Sequence, residues 1–204
     1  MSSLRPSRSP SRGLQAAAIV CLSLAVAPCS SPEKDPDAGG TLEYAARLEG
    51  LQELLEEGKH DEAERAARVL LEEVRADSQQ TRVADALDVL VRALWRHGTR
   101  EEMWELAHEA LRIREAHGVP DDPALARSLR NIAGLHLMQQ DFSEALQNYE
   151  RALRILEDAY GADDARVGSC HTDIAIVHSI RGDYEEAIRG YNRAIEIHES
   201  ASSP

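Results

Sequence analysis

Residues 141–155 read DFSEALQNYERALRI, and residues 183–197 read DYEEAIRGYNRAIEI. Seven of the fifteen positions are identical, and Phe142/Tyr184, Leu146/Ile188 and Leu153/Ile195 exchange one bulky side chain for another. The offset is 42 residues and continues outside these segments, where Ala133 meets Ala175, Ala145 meets Ala187, Tyr149 meets Tyr191 and Ala152 meets Ala194. Backward by the same offset, EALRIRE (109–115) meets RALRILE (151–157), and Asp121-Asp122 meets Asp163-Asp164. Three units in one register restrict the chain to a repeat architecture. In such a fold no unit buries its apolar face alone, and stacked neighbours share one core.

Each unit reads as two helices. The composition is rich in Ala, Leu, Glu and Arg with a single Phe, a helix-forming mixture. Thr99-x-x-Glu102, Asp141-x-x-Glu144 and Asp183-x-x-Glu186 have the form of capping boxes opening each second helix. Gly98 and Gly182 precede two of them, where the first helix stops. Gly118 and Gly161 stand where second helices end, as residues expected in the left-handed conformation. Asp122-Pro123 opens the next first helix, with Pro at a position that needs no donor. Ala133, Ala145 and Ala152 allow helices to approach, and Phe142 and Tyr149 fill the space between them. First helices are expected at 82–97, 123–139 and 165–181, and the last helix at about 184–199.

Small residues followed by D-[FY]-x-E-A, then Tyr, then Arg-Ala resemble the tetratricopeptide repeat. The 42-residue period, with SLRNIA leading and YGADDARV closing, resembles its kinesin-light-chain-type variant. The resemblance implies an all-α, right-handed superhelical solenoid of antiparallel helix pairs with about four helical hairpins. Three are assigned to 82–118, 123–160 and 165–200. A degenerate first repeat covers 41–78, with its turn at Gly58 and Leu70 in place of the usual small residue, and 201–204 is a polar tail.

The same resemblance implies a concave groove, lined by the first helices, that holds an extended peptide or a partner helix. Carried over position by position, its candidate residues are Asp85, Asp88, Arg92, Trp95 and Arg96 on the first of these helices. On the next they are Arg127, Arg130, Asn131, Gly134 and Met138, and on the last Thr172, Asp173 and Ile176. Asn131 matches the second Asn of the family's L-N-N-L-A segment. Arg130 replaces the first Asn, and Thr172-Asp173 departs from the pattern altogether. Arg127 and Arg130 suit a carboxylate, and Trp95 suits an aromatic anchor.

The N-terminus belongs to another class. Arg5, Arg8 and Arg12 form a basic head without an acid, and Leu14–Ala27 is a largely apolar run, too short to span a bilayer and suited to a signal peptide over 1–28. Val26-Ala27-Pro28-Cys29 resembles a lipobox with Pro where Gly, Ala or Ser is usual, which makes Cys29 the lipidation candidate. Ala25-Val26-Ala27 also fits an ordinary A-x-A site. Residues 29–40 read as a flexible linker. The expected location is therefore the periplasm or a membrane-anchored lipoprotein, with secretion as the alternative.

The formal net charge of −13 becomes −16 without residues 1–28, which argues against nucleic-acid binding. There is no G-x-S-x-G, Walker loop, Rossmann glycine pattern or C-x-x-C. No enzyme, cofactor or metal is expected. The favoured reading is a protein-interaction adaptor of the bacterial envelope, and the rival is a component that self-associates through an uncapped last repeat. A minor third reading is a metal or thiol enzyme using Cys170, His171 and His178. Against it, the two histidines are seven residues apart rather than four, and His171 occupies a repeat position held elsewhere by Leu87 and Leu129.

Overall fold

Eight α-helices account for the secondary structure of the described residues: α1 (Ala38–Glu56), α2 (His60–Arg75), α3 (Gln80–Leu94), α4 (Arg100–His117), α5 (Pro123–Gln139), α6 (Phe142–Tyr160), α7 (Ala165–Arg181) and α8 (Tyr184–Ser202). The computed structural model describes residues 38–76, 79–118 and 122–202. The expected signal segment 1–28, Cys29 and most of the expected linker lie outside the described residues. α1 already begins at Ala38, within the stretch read as linker, and α8 runs to Ser202, within the stretch read as tail. No described helix is long and apolar enough to cross a membrane.

Consecutive helices pair as antiparallel hairpins, and each hairpin also packs on the next, α2 on α3, α4 on α5 and α6 on α7. The core therefore runs along the stack. Leu70, Leu87, Leu90, Leu94 and Met103 are buried in its first part, with Ile132 and Leu135 of the next hairpin reaching into it. Leu125, Leu129, Ile155, Val167, Cys170 and Ile197 continue it, and Ala133, Ala145, Tyr149 and Val177 form a third cluster. Ala133, Ala145 and Ala152 are fully buried, so these small side chains lie where helices approach closely, as the repeat pattern required. Each large apolar side chain sealed in this way contributes about 1.5–3 kcal/mol.

The helix ends follow the sequence only in part. Thr99 Oγ1 accepts from Glu102 N at 3.2 Å, which is the expected cap. Asp122 and Asp164 cap α5 and α7 by accepting from Ala124 N and Arg166 N, each at 2.9 Å. Asp141 makes no such bond, and Asp183 is held instead by Arg181 and by His178 Nδ1 at 3.4 Å. Basic side chains closing the preceding helix compete for both carboxylates, since His136 Nδ1 also lies 3.6 Å from Asp141. Gly118 is extended, with φ −80°, rather than left-handed. Its glycine is required for space, because a Cβ there would sit 2.4 Å from the Arg114 carbonyl oxygen. α3 ends at Leu94, so Trp95 and Arg96 lie in the turn beyond it.

Candidate functional site

The polar residues of the first helices meet one another across the repeat boundaries. Asp85 Oδ1 on α3 accepts from Arg127 Nη1 on α5 at 3.1 Å and from Arg114 Nη2 on α4 at 2.5 Å. Asp88 is fully buried and accepts from Ser128 Oγ at 2.8 Å and from Asn131 Nδ2 at 3.1 Å. The same Asn131 amide donates to the Asp88 backbone carbonyl at 3.2 Å. Arg114, itself buried, places Nη2 3.7 Å from Asp88 Oδ2. One boundary further on, Arg130 Nε donates to Asp173 Oδ2 at 2.7 Å.

Burial pushes the Asp88 carboxyl up to about 6, against the opposing pull of Arg114 and Ser128. Asp173 is raised for the same reason, with Arg130 opposing. In buried pairs of this kind desolvation offsets much of the attraction. The outer faces carry a second set of links, Arg68–Glu102 at 2.7 Å, Arg75–Glu109 at 3.0 Å and Arg151–Glu115 at 3.0 Å. These exposed pairs are individually weak.

The sequence-derived groove residues therefore divide by role. Asp85, Asp88, Asn131 and Asp173 hold neighbouring hairpins together, and Asp88 has no surface with which to reach a ligand. Thr172 Oγ1 donates to the Gly168 carbonyl at 3.2 Å within its own helix. Trp95 is 42% exposed and lies over Gly134, where a Cβ would fall 2.7 Å from its Cη2. Gly134 thus leaves room for the indole. Met138 and Ile176 are exposed. Arg96 lines a different, polar cavity beside the α1–α2 turn, with Lys59, His60 and Asp61.

Arg92, Arg127 and Arg130 come together on one open cavity of about 290 Å³, completed by Gln52, Pro123, Ala126, Leu156, Tyr160 and Arg166. Three of the four arginines have a carboxylate. Arg127 has Asp85, Arg130 has Asp173, and Arg166 has both oxygens of Asp164 at 2.7 and 2.8 Å while stacking 3.2 Å over the Tyr160 ring. Arg92 has no carboxylate within ion-pair distance among the described residues, although Glu56 and Asp88 act on it through space. Desolvation, then Arg130 and Arg127, hold its guanidinium below the usual arginine range.

Arg166, Tyr160 and the buried Arg114 were not among the sequence-derived residues. Arg114 carried a readable signal, since it stands in register with Leu156 and replaces an apolar side chain with a charge. Cys170 is buried and donates from Sγ to the Tyr149 carbonyl at 3.4 Å. Burial raises its thiol to about 12. Such enclosure favours the protonated thiol. His171 is half-buried and its ring is held below the usual histidine range by desolvation, while His178 faces Asp183. Among the described residues no group of three His, Cys, Asp or Glu side chains is arranged to hold a metal.

Helical hairpins of this length, stacked one on the next in register, define an α-solenoid. The tetratricopeptide-repeat family model matches residues 82–158 and 140–200, and the chain belongs to that family. Among solved structures it is similar to BtubC (BKLC) from P. vanneervenii, at 18% identity and a TM-score of 0.62, covering 86% of this chain and 69% of that one. It is also similar to a putative kinesin light chain of Podosopora anserina with nearly identical TPR-like repeats. There the identity is 15% and the TM-score 0.61, covering 79% of this chain and 77% of the other. At these identities the likeness is one of fold, and it agrees with the kinesin-light-chain-type spacing of the repeats. No curated protein matches the chain.

Proposed function

We propose that the chain is a non-enzymatic scaffold of the bacterial envelope that captures a carboxylate-bearing segment of a partner protein in its first-helix groove. The observation that carries this reading is Arg92, a guanidinium with no carboxylate at ion-pair distance among the described residues and only the more distant influence of Glu56 and Asp88, on a cavity lined by three further arginines. The rest of the chain is strongly acidic, so this basic spot stands against the overall field. Arg127 and Arg130 face the same cavity with part of their donor capacity taken by Asp85 and Asp173. Planar guanidinium groups retain donors for a second carboxylate. Met138 on α5, Ile176 on α7 and Trp95 in the turn after α3 add exposed apolar surface. Export rests on the basic head and apolar run of residues 1–28, and Cys29 would tether the mature chain to a membrane.

The test is fluorescence anisotropy with a labelled Asp/Glu-rich peptide and its Asn/Gln counterpart. The acidic peptide should bind, the neutral one should not, and added salt should weaken binding. Arg92→Glu should reduce affinity by about tenfold or more without changing the melting temperature, because Arg92 joins no ion pair that holds the fold. Equal binding of both peptides, or no effect of Arg92→Glu, overturns the reading. Arg130 and Asn131 are unsuitable probes, since both link α5 to its neighbours. Mass spectrometry of the mature N-terminus tests the tether, which requires a lipid-modified Cys29.

A further inference from the structure

One wall of the arginine cavity comes from outside residues 82–200, the stretch that matches the repeat family. Gln52 on α1 lines the cavity together with Arg92, Arg127, Arg130 and Arg166. Glu56 follows one turn later, an exposed side chain at the end of α1. Its neighbour Glu57 is held by Lys59 at 2.7 Å, whereas Glu56 has no ion pair of its own among the described residues. Two carboxylates act on Arg92 through space, Glu56 and Asp88. Asp88 is sealed in the seam, where Ser128 and Asn131 hold its two oxygens. Glu56 is the one of the two whose side chain is free to turn. The helix that carries it is pinned nearer its start, since Tyr44 Oη donates to the Arg82 carbonyl at 3.0 Å and Arg47 pairs with Glu73.

We propose that Glu56 is an internal competitor for Arg92, a carboxylate of the chain itself that an acidic ligand has to displace. The inference rests on the proposed capture of a carboxylate at Arg92 and names what regulates it. Arg127, Arg130 and Arg166 are each matched by a carboxylate at 3.1, 2.6 and 2.7 Å. Arg92 therefore carries the charge left over at the cavity, and a single acid on α1 is enough to offset part of it. An exposed glutamate held at a distance contributes little stability, so a ligand carboxylate that reaches the guanidinium directly displaces it. The first hairpin thus sets the affinity of the groove through one charge. Neutralising Glu56, or drawing the end of α1 away from the cavity, strengthens capture.

Charges about 6–8 Å apart in water-like surroundings change an equilibrium about threefold. Glu56→Gln should therefore tighten binding of the labelled Asp/Glu-rich peptide to the full chain about three- to fivefold at low ionic strength. The gain should fade at ~0.5 M salt, where such charges are screened. The circular dichroism spectrum should not change, because Glu56 is exposed. Glu53→Gln makes the same change of charge on the same helix and should gain less. In an Arg92→Gln background the Glu56→Gln gain should disappear, whereas simple repulsion between Glu56 and the peptide would leave it intact. No gain, a gain equal to that of Glu53→Gln, or a gain that survives without Arg92 overturns the competitor and leaves the carboxylate site standing. Failure of the peptide to bind both wild type and Glu56→Gln overturns the two readings together.

Discussion

Asp88 offers the sharpest quantitative test of the inter-repeat seam. Its carboxyl rises from 3.8 to about 6 in the folded chain because burial disfavours the charge. Between those two values the native state holds a proton that the unfolded state has released, so stability falls as pH rises from about 4 to about 6 and is level above that. Two pH units at about 1.4 kcal/mol each make the loss about 3 kcal/mol, of which about 2 falls above pH 4.5. Asp88→Asn removes the titration while keeping the hydrogen bonds, since the Ser128 hydroxyl both donates and accepts and the amide oxygen still takes Asn131. Urea unfolding of both proteins, followed by circular dichroism from pH 4.5 to 7.5, isolates this group from the other carboxylates. Relative to wild type the variant should gain about 2 kcal/mol across that range. A difference that does not change with pH, or a variant that loses stability toward neutrality, would refute the assignment.

Other perturbations probe the remaining packing. Arg130→Ala and Asp173→Ala should each destabilise, and a double-mutant cycle by urea unfolding should return a coupling of about 1–3 kcal/mol; additive effects would dissolve the link between α5 and α7. Gly190→Ala places a Cβ 2.9 Å from Ala175 Cβ, so the crowding should outweigh the helix-propensity gain and lower stability by about 1 kcal/mol net. A stabilised Gly190→Ala protein would mean that α7 and α8 separate freely.

The repeat period, the hairpins and the buried alanines were all legible because they belong to contacts that every unit must make. The seam was not, and the reason is physical. Arg127, Arg130, Asp85 and Asp173 read as groove residues because charges on a helix face ordinarily meet solvent or a ligand. The spacing that pairs them, 42 residues for Asp85–Arg127 and 43 for Arg130–Asp173, is the repeat length or one residue more. Once one hairpin is known to stack on the next, opposite charges one repeat apart become neighbours. Arg114 escaped for another reason. It comes from a second helix, and only its departure from Leu156 in the repeat register marks it.

Trp95 and Trp104 are the two tryptophans of the chain. Trp95 lies on Gly134, and the Trp104 ring meets His136 edge-on at 5.0 Å. Both indoles therefore look onto α5, across the boundary between the second and third hairpins, and the α7–α8 hairpin has tyrosine as its aromatic chromophore. Intrinsic emission at long wavelength thus reports one joint of the stack, while circular dichroism averages over all of them. In a protein whose hairpins loosen one after another, the two optical signals need not coincide, and the lag between them times the opening of that joint against the melting of the whole.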